Sequence, residues 1–231
     1  MRAQQYGLRP PVVSLAALDQ PNGEHELSKF FVADLGARRH NRFMTSDSQL
    51  QDVTIRRWTE IADTSRLTPQ VDAIFFESSG TKTFADDAHR QTFRERWLGR
   101  YLRDEPEWAY VALDGDNTVA GYLVGSITDP ATTGPYDDIG AFANFADLTS
   151  AHPAHLHVNL APPFRNRGLG GRLIEAFVSD ATRADAKGAH VITGATSRNV
   201  GFYKRNGFRE LATGKIRNHG VVLLGRALRP A

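Results

Sequence analysis

Arg165-Asn166-Arg167-Gly168-Leu169-Gly170-Gly171-Arg172 is the stretch on which the fold turns. It follows an apolar run, His155 to Leu160, and opens a segment whose Leu173, Ile174, Phe177 and Ala181 recur at helical spacing. The order is therefore strand, glycine loop, helix. Closely spaced glycines let the backbone turn tightly enough for several N–H groups to face one anion, and a helix N-terminus adds about half a positive charge. Arginines crowd the same spot. Two rival glycine signatures do not fit: a P-loop requires G-x-x-x-x-G-K-[ST], and a dinucleotide fingerprint G-x-G-x-x-G requires glycine where Leu173 stands. A phosphate cradle at the end of one strand is what remains.

Outward from the cradle, the chain alternates strand and helix patterns. Downstream, His190 to Ala195 reads as a strand, Asn199 to Asn206 as a short helix with Asn199 as its N-cap, and Gly220 to Leu224 as a last strand. Upstream, Val71 to Glu77 (VDAIFFE) reads as a buried strand, and Phe84 to Arg103 as a helix with Phe93, Trp97, Leu98, Tyr101 and Leu102 on one stripe. Trp108 to Leu113 and Thr118 to Ile127 flank Asp114-Gly115-Asp116-Asn117 as a hairpin. Thr128 to His152 is irregular, with a short helical pattern from Ile139 to Leu148, and segments this long between strands commonly cover a site. Residues 1–66 read as a helical arm, with Leu27, Phe30, Phe31 and Leu35 in one pattern and Leu50, Val53, Trp58 and Ile61 in a second. The class is α+β with a mixed sheet.

Downstream of the cradle stands Tyr203-Lys204-Arg205-Asn206-Gly207-Phe208. Taken together, Arg165-x-x-Gly168-x-Gly170 and Tyr203-x-x-x-Gly207-Phe208 resemble the two signature motifs of the GNAT (Gcn5-related N-acetyltransferase) superfamily. Within it, PYDDIG at 135–140, PAHLHVN at 153–159 and VVLLGRAL at 221–228 are similar to the acetyltransferase-like domain of O-GlcNAcases and its free-standing bacterial relatives. A glycosidase barrel of ~250 residues would not fit beside it. The resemblance implies a mixed, twisted central sheet flanked by helices over residues 67–231, following the helical arm. It also implies acetyl-CoA as co-substrate. A zinc site on His152, His155 and His157 is the chemical alternative, but no Glu or Asp ligand is nearby in sequence and H-x-x-x-H is absent, so no metal is expected. The cofactor residues the resemblance implies are Leu160, Arg165, Arg167, Gly168, Leu169, Gly170, Gly171, Arg172, Asn199, Phe202 and Tyr203. A backbone N–H near Leu160 would stabilise the oxyanion, and Tyr203 would protonate the departing thiolate. Thr196 stands where the family often has a further asparagine, and Asn159 where relatives carry a carboxylate.

The residues themselves supply candidates for the acceptor side. His155, His157 and Asn159 alternate with Leu156, Val158 and Leu160, so the polar three share one strand face. His157 is the expected base. The acceptor is expected between this strand and the segment Pro135 to Phe145, against Tyr136, Asp137, Asp138 and Asn159, with Asp137 or Asp138 orienting an ammonium group. The expected reaction is acetyl transfer to a primary amine, on a small molecule or a protein, by direct attack. The alternative is a CoA-binding module without turnover, serving regulation or partner contacts. Composition removes other classes. With no cysteine among 231 residues, thiolate metal sites, disulfides and a cysteine nucleophile are excluded. Lys+Arg 28 against Asp+Glu 26 leaves a net charge of +2, and the pI of 9.0 reflects an arginine-rich composition rather than a nucleic-acid footprint. No membrane span or good signal peptide is legible, so a cytoplasmic protein is expected, a homodimer being left open.

Overall fold

The computed structural model describes residues 53–132, 134–216 and 218–229. Seven strands pair in the order β1-β2-β3-β4-β5-β7-β6. They are β1 (Thr54–Arg57), β2 (Tyr110–Leu113), β3 (Val119–Ser126), β4 (Ala154–Leu160), β5 (Gly188–Gly194), β6 (Arg209–Ile216) and β7 (His219–Ala227). Every neighbouring pair is antiparallel except β4 and β5. The β2–β3 connection forms because Asp114 accepts the backbone N–H groups of Asp116 and Thr118, and Asn117 takes a positive φ of 57°.

The period-two alternation of the strands sorts the core onto two faces. On one lie α1 (Thr68–Ser78), then α2 (Asp87–Arg94), which continues through a π-helical stretch (Glu95–Gly99) into α3 (Arg100–Asp104), and the single turns α4 (Gly140–Ala143) and α5 (Ala146–Thr149). On the other lie α6 (Leu169–Arg183) and α7 (Asn199–Arg205). Helix α6 docks through Leu169, Leu173, Ile174, Phe177, Val178 and Ala181, all buried. Burying one such large side chain contributes roughly 1.5–3 kcal/mol. The buried Asp180 on α6 accepts the Tyr110 hydroxyl at 2.6 Å and pairs with Arg57, tying β1 and β2 to the helix.

Three expectations are corrected. Residues 71–77 are not a strand but lie in α1, where Val71, Ile74, Phe75 and Ser78 bury one helical face behind Pro69 in the first turn. The helical pattern through Val53, Trp58 and Ile61 gives way to β1 and a short 3₁₀ turn (Trp58–Glu60), so the sheet begins inside the stretch assigned to the arm; the rest of that arm, residues 1–52, lies outside the described residues. Strand β6, unmarked in the sequence, pairs with β7 along the sheet edge.

Candidate active site

Parallel pairing between β4 and β5 covers only Ala154 with Ala189 and His155 with His190; beyond it the strands splay. In the β3–β4 ladder Ala161 donates its N–H to Ala120, so by alternation Val158 and Leu160 turn their N–H groups the other way, into the gap left by β5. A cavity of about 80 Å³ runs through this gap from one face of the sheet to the other. Tyr203, Asn199 and Thr193 line it on the α6–α7 side; Trp97, Phe142 and His157 line it on the side of α1 to α5.

The glycine loop caps the wide end of the gap. Asn166 and Gly168 both have positive φ, 60° and 81°, so the backbone between β4 and α6 curls into a concave turn. A Cβ on Gly168 would meet nothing within 4 Å: glycine is set there by backbone conformation, and the space above it is open. A buried guanidinium nitrogen of Arg167, Nη1, has no partner among the described residues. Open backbone and an orphaned cationic nitrogen at a helix start are what a pyrophosphate fits. The loop's other expected ligands are placed differently. Arg165 donates through Nε to the Leu160 carbonyl at 2.9 Å and reaches Ser78 at 3.4 Å, so its guanidinium braces the loop. Arg172 donates to the Val53 carbonyl at 2.8 Å. The Leu169 side chain is buried in the core, which leaves its backbone for contact. Gly170 and Gly171 permit close packing: a Cβ would lie 3.0 Å from the Phe202 ring and 2.7 Å from Asn206 Oδ1 respectively. Phe202 covers Gly170 and lies outside the cavity lining.

Tyr203 sits where the sequence motif places it, between the rings of Phe202 and Phe208 at 5.1 and 5.7 Å. Burial pushes its phenol well above the usual value, so the hydroxyl keeps its proton at any working pH. Asn199 is not the helix cap: its N–H is accepted by Ser197 Oγ at 3.2 Å, and its side chain is left to the cavity.

On the opposite face the sequence expectation meets its main correction. Asp138 is clamped by Arg96 at 2.8 Å and Arg100 at 2.7 Å, which holds its carboxyl below the usual range against the opposing effect of burial. A carboxylate so neutralised is not available to orient an ammonium group. Tyr136 is buried with its hydroxyl on Glu105, and neither it nor Asp137 lines the cavity. From the same segment Ile139 and Phe142 do line it. Asn159 lines it too and donates to the Tyr122 hydroxyl at 2.9 Å. His155 and His157 both approach the Tyr101 hydroxyl, at 3.2 and 3.5 Å. Burial lowers all three cavity histidines, His157 and His190 to about 4 and His155 well below the usual value, so they are neutral at physiological pH. His190 had no functional signal in the sequence, Phe142 was reached only through the segment 135–145 that contains it, and Trp97 carried only the signal of a core stripe. Among the described residues no group of three His, Asp or Glu could hold a metal ion, and no helix is long and apolar enough to cross a membrane.

The mixed sheet split between its parallel strands, with a glycine loop at the mouth of the split, matches the GNAT fold. Residues 105–210 match the family model described as "Acetyltransferase (GNAT) domain". Solved structures of similar fold include SsHAT, at 20% identity and a TM-score of 0.59 over 78% of this chain and 100% of that one. A putative GNAT-family acetyltransferase from Desulfovibrio desulfuricans follows at 17% identity and 0.52, over 77% and 99% of the two chains. An N-acetyltransferase from Staphylococcus aureus Mu50 matches at 13% identity and 0.51, over 77% and 99%. The GNAT family uses acetyl-CoA. The cradle residues fit its pyrophosphate.

Proposed function

We propose that this protein is an acetyl-CoA-dependent N-acetyltransferase in which the acceptor amine attacks directly within a ternary complex. The observation that supports the reading is the cavity through the β4–β5 split, whose lining includes Tyr203, Val158 and His157, with the N–H of Leu160 on the same strand edge as that of Val158. Bound acetyl-CoA supplies an activated acetyl thioester. The loop from Arg167 to Gly171 holds its phosphates, and the N–H groups on β4 donate to the oxygen that gains charge during attack. His157 accepts the proton from the attacking nitrogen, and Tyr203 donates one to the leaving sulfur, whose thiol pKa is near the ordinary ~8.5. Both proton transfers need contact geometry, which a narrow cavity favours.

The proposal extends to a subtype resembling the O-GlcNAcase-associated domain and its bacterial relatives, acting on a small molecule in the cytoplasm. A CoA-binding module without turnover is the second reading, favoured by Asn159 standing in the cavity bonded to Tyr122 instead of a carboxylate. A pH profile tests the role of His157. Its imidazole is protonated, and useless as a base, only below about 4, so wild-type kcat is expected to hold down to that region and fall beneath it. His157→Gln is expected to lower kcat about 10²-fold and flatten that limb. An unchanged profile in the variant excludes His157 as base.

A further inference from the structure

The acceptor side of the cavity differs from what a cationic amine requires. Phe75, Trp97, Ile139 and Phe142 form its apolar walls, and among the described residues no Asp, Glu, Lys or Arg lines it. The ionisable groups that face it from β4 and β5 are His155, His157 and His190, with Tyr101 from α3 behind them. Carboxylates from the surrounding elements are engaged elsewhere. Asp138 is held by Arg96 and Arg100, Glu105 accepts the Tyr136 hydroxyl, and Glu77 lies 3.8 Å from Arg165, while Asp129, which accepts the Ala131 N–H at 3.0 Å, stays outside the lining but acts electrostatically on His190. Asp72, on the face of α1, pairs with Arg94 at 2.8 Å.

An alkylamine, with a pKa near the lysine value of ~10.4, is almost wholly cationic at neutral pH. Moving that charge into a buried chamber whose lining holds no counter-ion is unfavourable. A weakly basic amine enters uncharged and meets no such cost. The walls also favour a flat body. Trp97 stands edge-on to His157 at 5.6 Å, and Phe142 lies 5.0 Å from the His155 ring and 5.7 Å from His190, so planar rings bound the space on several sides. The lining also carries polar groups, Ser78, Ser79, Asn159, Thr193 and Asn199, beside the histidines. His190, fully buried, donates from Nδ1 to the His152 carbonyl at 2.5 Å, and its buried Nε2 has no hydrogen-bond partner among the described residues. In that tautomer Nε2 carries a lone pair and can accept one N–H or O–H from a ligand.

We propose that the acceptor is an uncharged, weakly basic amine on a flat apolar body, of the aromatic-amine class, admitted by a chamber of aromatic walls and three histidines that no Asp or Glu among the described residues lines. The proposal rests on the acetyl-transfer reading above and narrows its substrate. The balanced step is attack of the amine nitrogen on the thioester carbonyl: a C–N bond forms, the C–S bond breaks, one proton leaves nitrogen and one reaches sulfur, giving an N-aryl acetamide and CoA thiol.

The test uses the wild-type protein and acetyl-CoA at neutral pH, with p-toluidine, spermidine, glucosamine or a lysine-containing peptide as acceptor. Thiol release gives kcat/KM for each, and the melting temperature of the protein in CoA with each amine gives binding independently of turnover. The expected result is a kcat/KM for p-toluidine at least about tenfold above the other three, with a melting shift from p-toluidine alone. Equal or greater kcat/KM for spermidine, glucosamine or the peptide overturns the proposal while leaving acetyl transfer standing. A melting shift from p-toluidine without thiol release from any amine supports the chamber and overturns the transfer reading. Neither shift nor release with p-toluidine overturns the proposal itself.

Discussion

Tyr203→Phe is expected to lower kcat by about 10²–10⁴ while leaving acetyl-CoA affinity nearly unchanged. The substitution removes one oxygen from a ring already held between Phe202 and Phe208, so packing persists. Among the described residues none hydrogen-bonds to that hydroxyl, so no buried partner is left unsatisfied and folding stability should change little. What is lost is the proton donor for the leaving thiolate. Steady-state kinetics with an acceptor that releases thiol measures this, and an unchanged kcat would return Tyr203 to a packing role.

Gly168→Val is expected to abolish acetyl-CoA binding, with the ligand-induced rise in melting temperature disappearing even at millimolar cofactor. Two effects combine. At φ 81° a β-branched residue is strained by roughly 1–3 kcal/mol, which pulls the concave turn out of shape. Its side chain would also project into the open space over the loop that the proposed site gives to phosphate, since a Cβ there meets no protein atom within 4 Å. Gly170 is the less informative position: a Cβ there strikes Phe202 at 3.0 Å, so substitution would disturb the packing of α7 along with any ligand. The free protein's own melting temperature separates strain from lost binding. A variant that still shows the full cofactor shift would remove the loop from the binding site.

The parts of this architecture that depend on local chemistry were legible in the sequence. A glycine loop between strand and helix, and a tyrosine followed by Gly207-Phe208, are short-range patterns whose conformations are set by neighbours along the chain. The failures have physical causes as well. Val71 to Glu77 carries Val, Ile and two Phe in a short apolar run, for which strand and buried helix have the same composition; the burial of positions 71, 74, 75 and 78 decides for helix only once the sheet is present. Strand β6, RELATGKI, is a largely exposed edge strand with no apolar alternation to announce it. Asp138 looked like a free turn carboxylate because Arg96 is 42 residues away in sequence, and nothing local reports that pairing. His190 was hidden in a strand for the same reason: its meaning lies in the short register with β4, after which the two strands part.

The pairing of a cofactor face with an acceptor face across one split sheet is the central claim, and acceptor-dependent thiol release tests it most directly. Wild-type protein is incubated with acetyl-CoA, with and without an amine, while free thiol and the mass of the amine are followed together. Thiol should accumulate only when an acceptor is present, one acetyl group appearing on the amine for each thiol released. Thiol release that ignores the amine, or none with any amine while acetyl-CoA binds, would contradict the account.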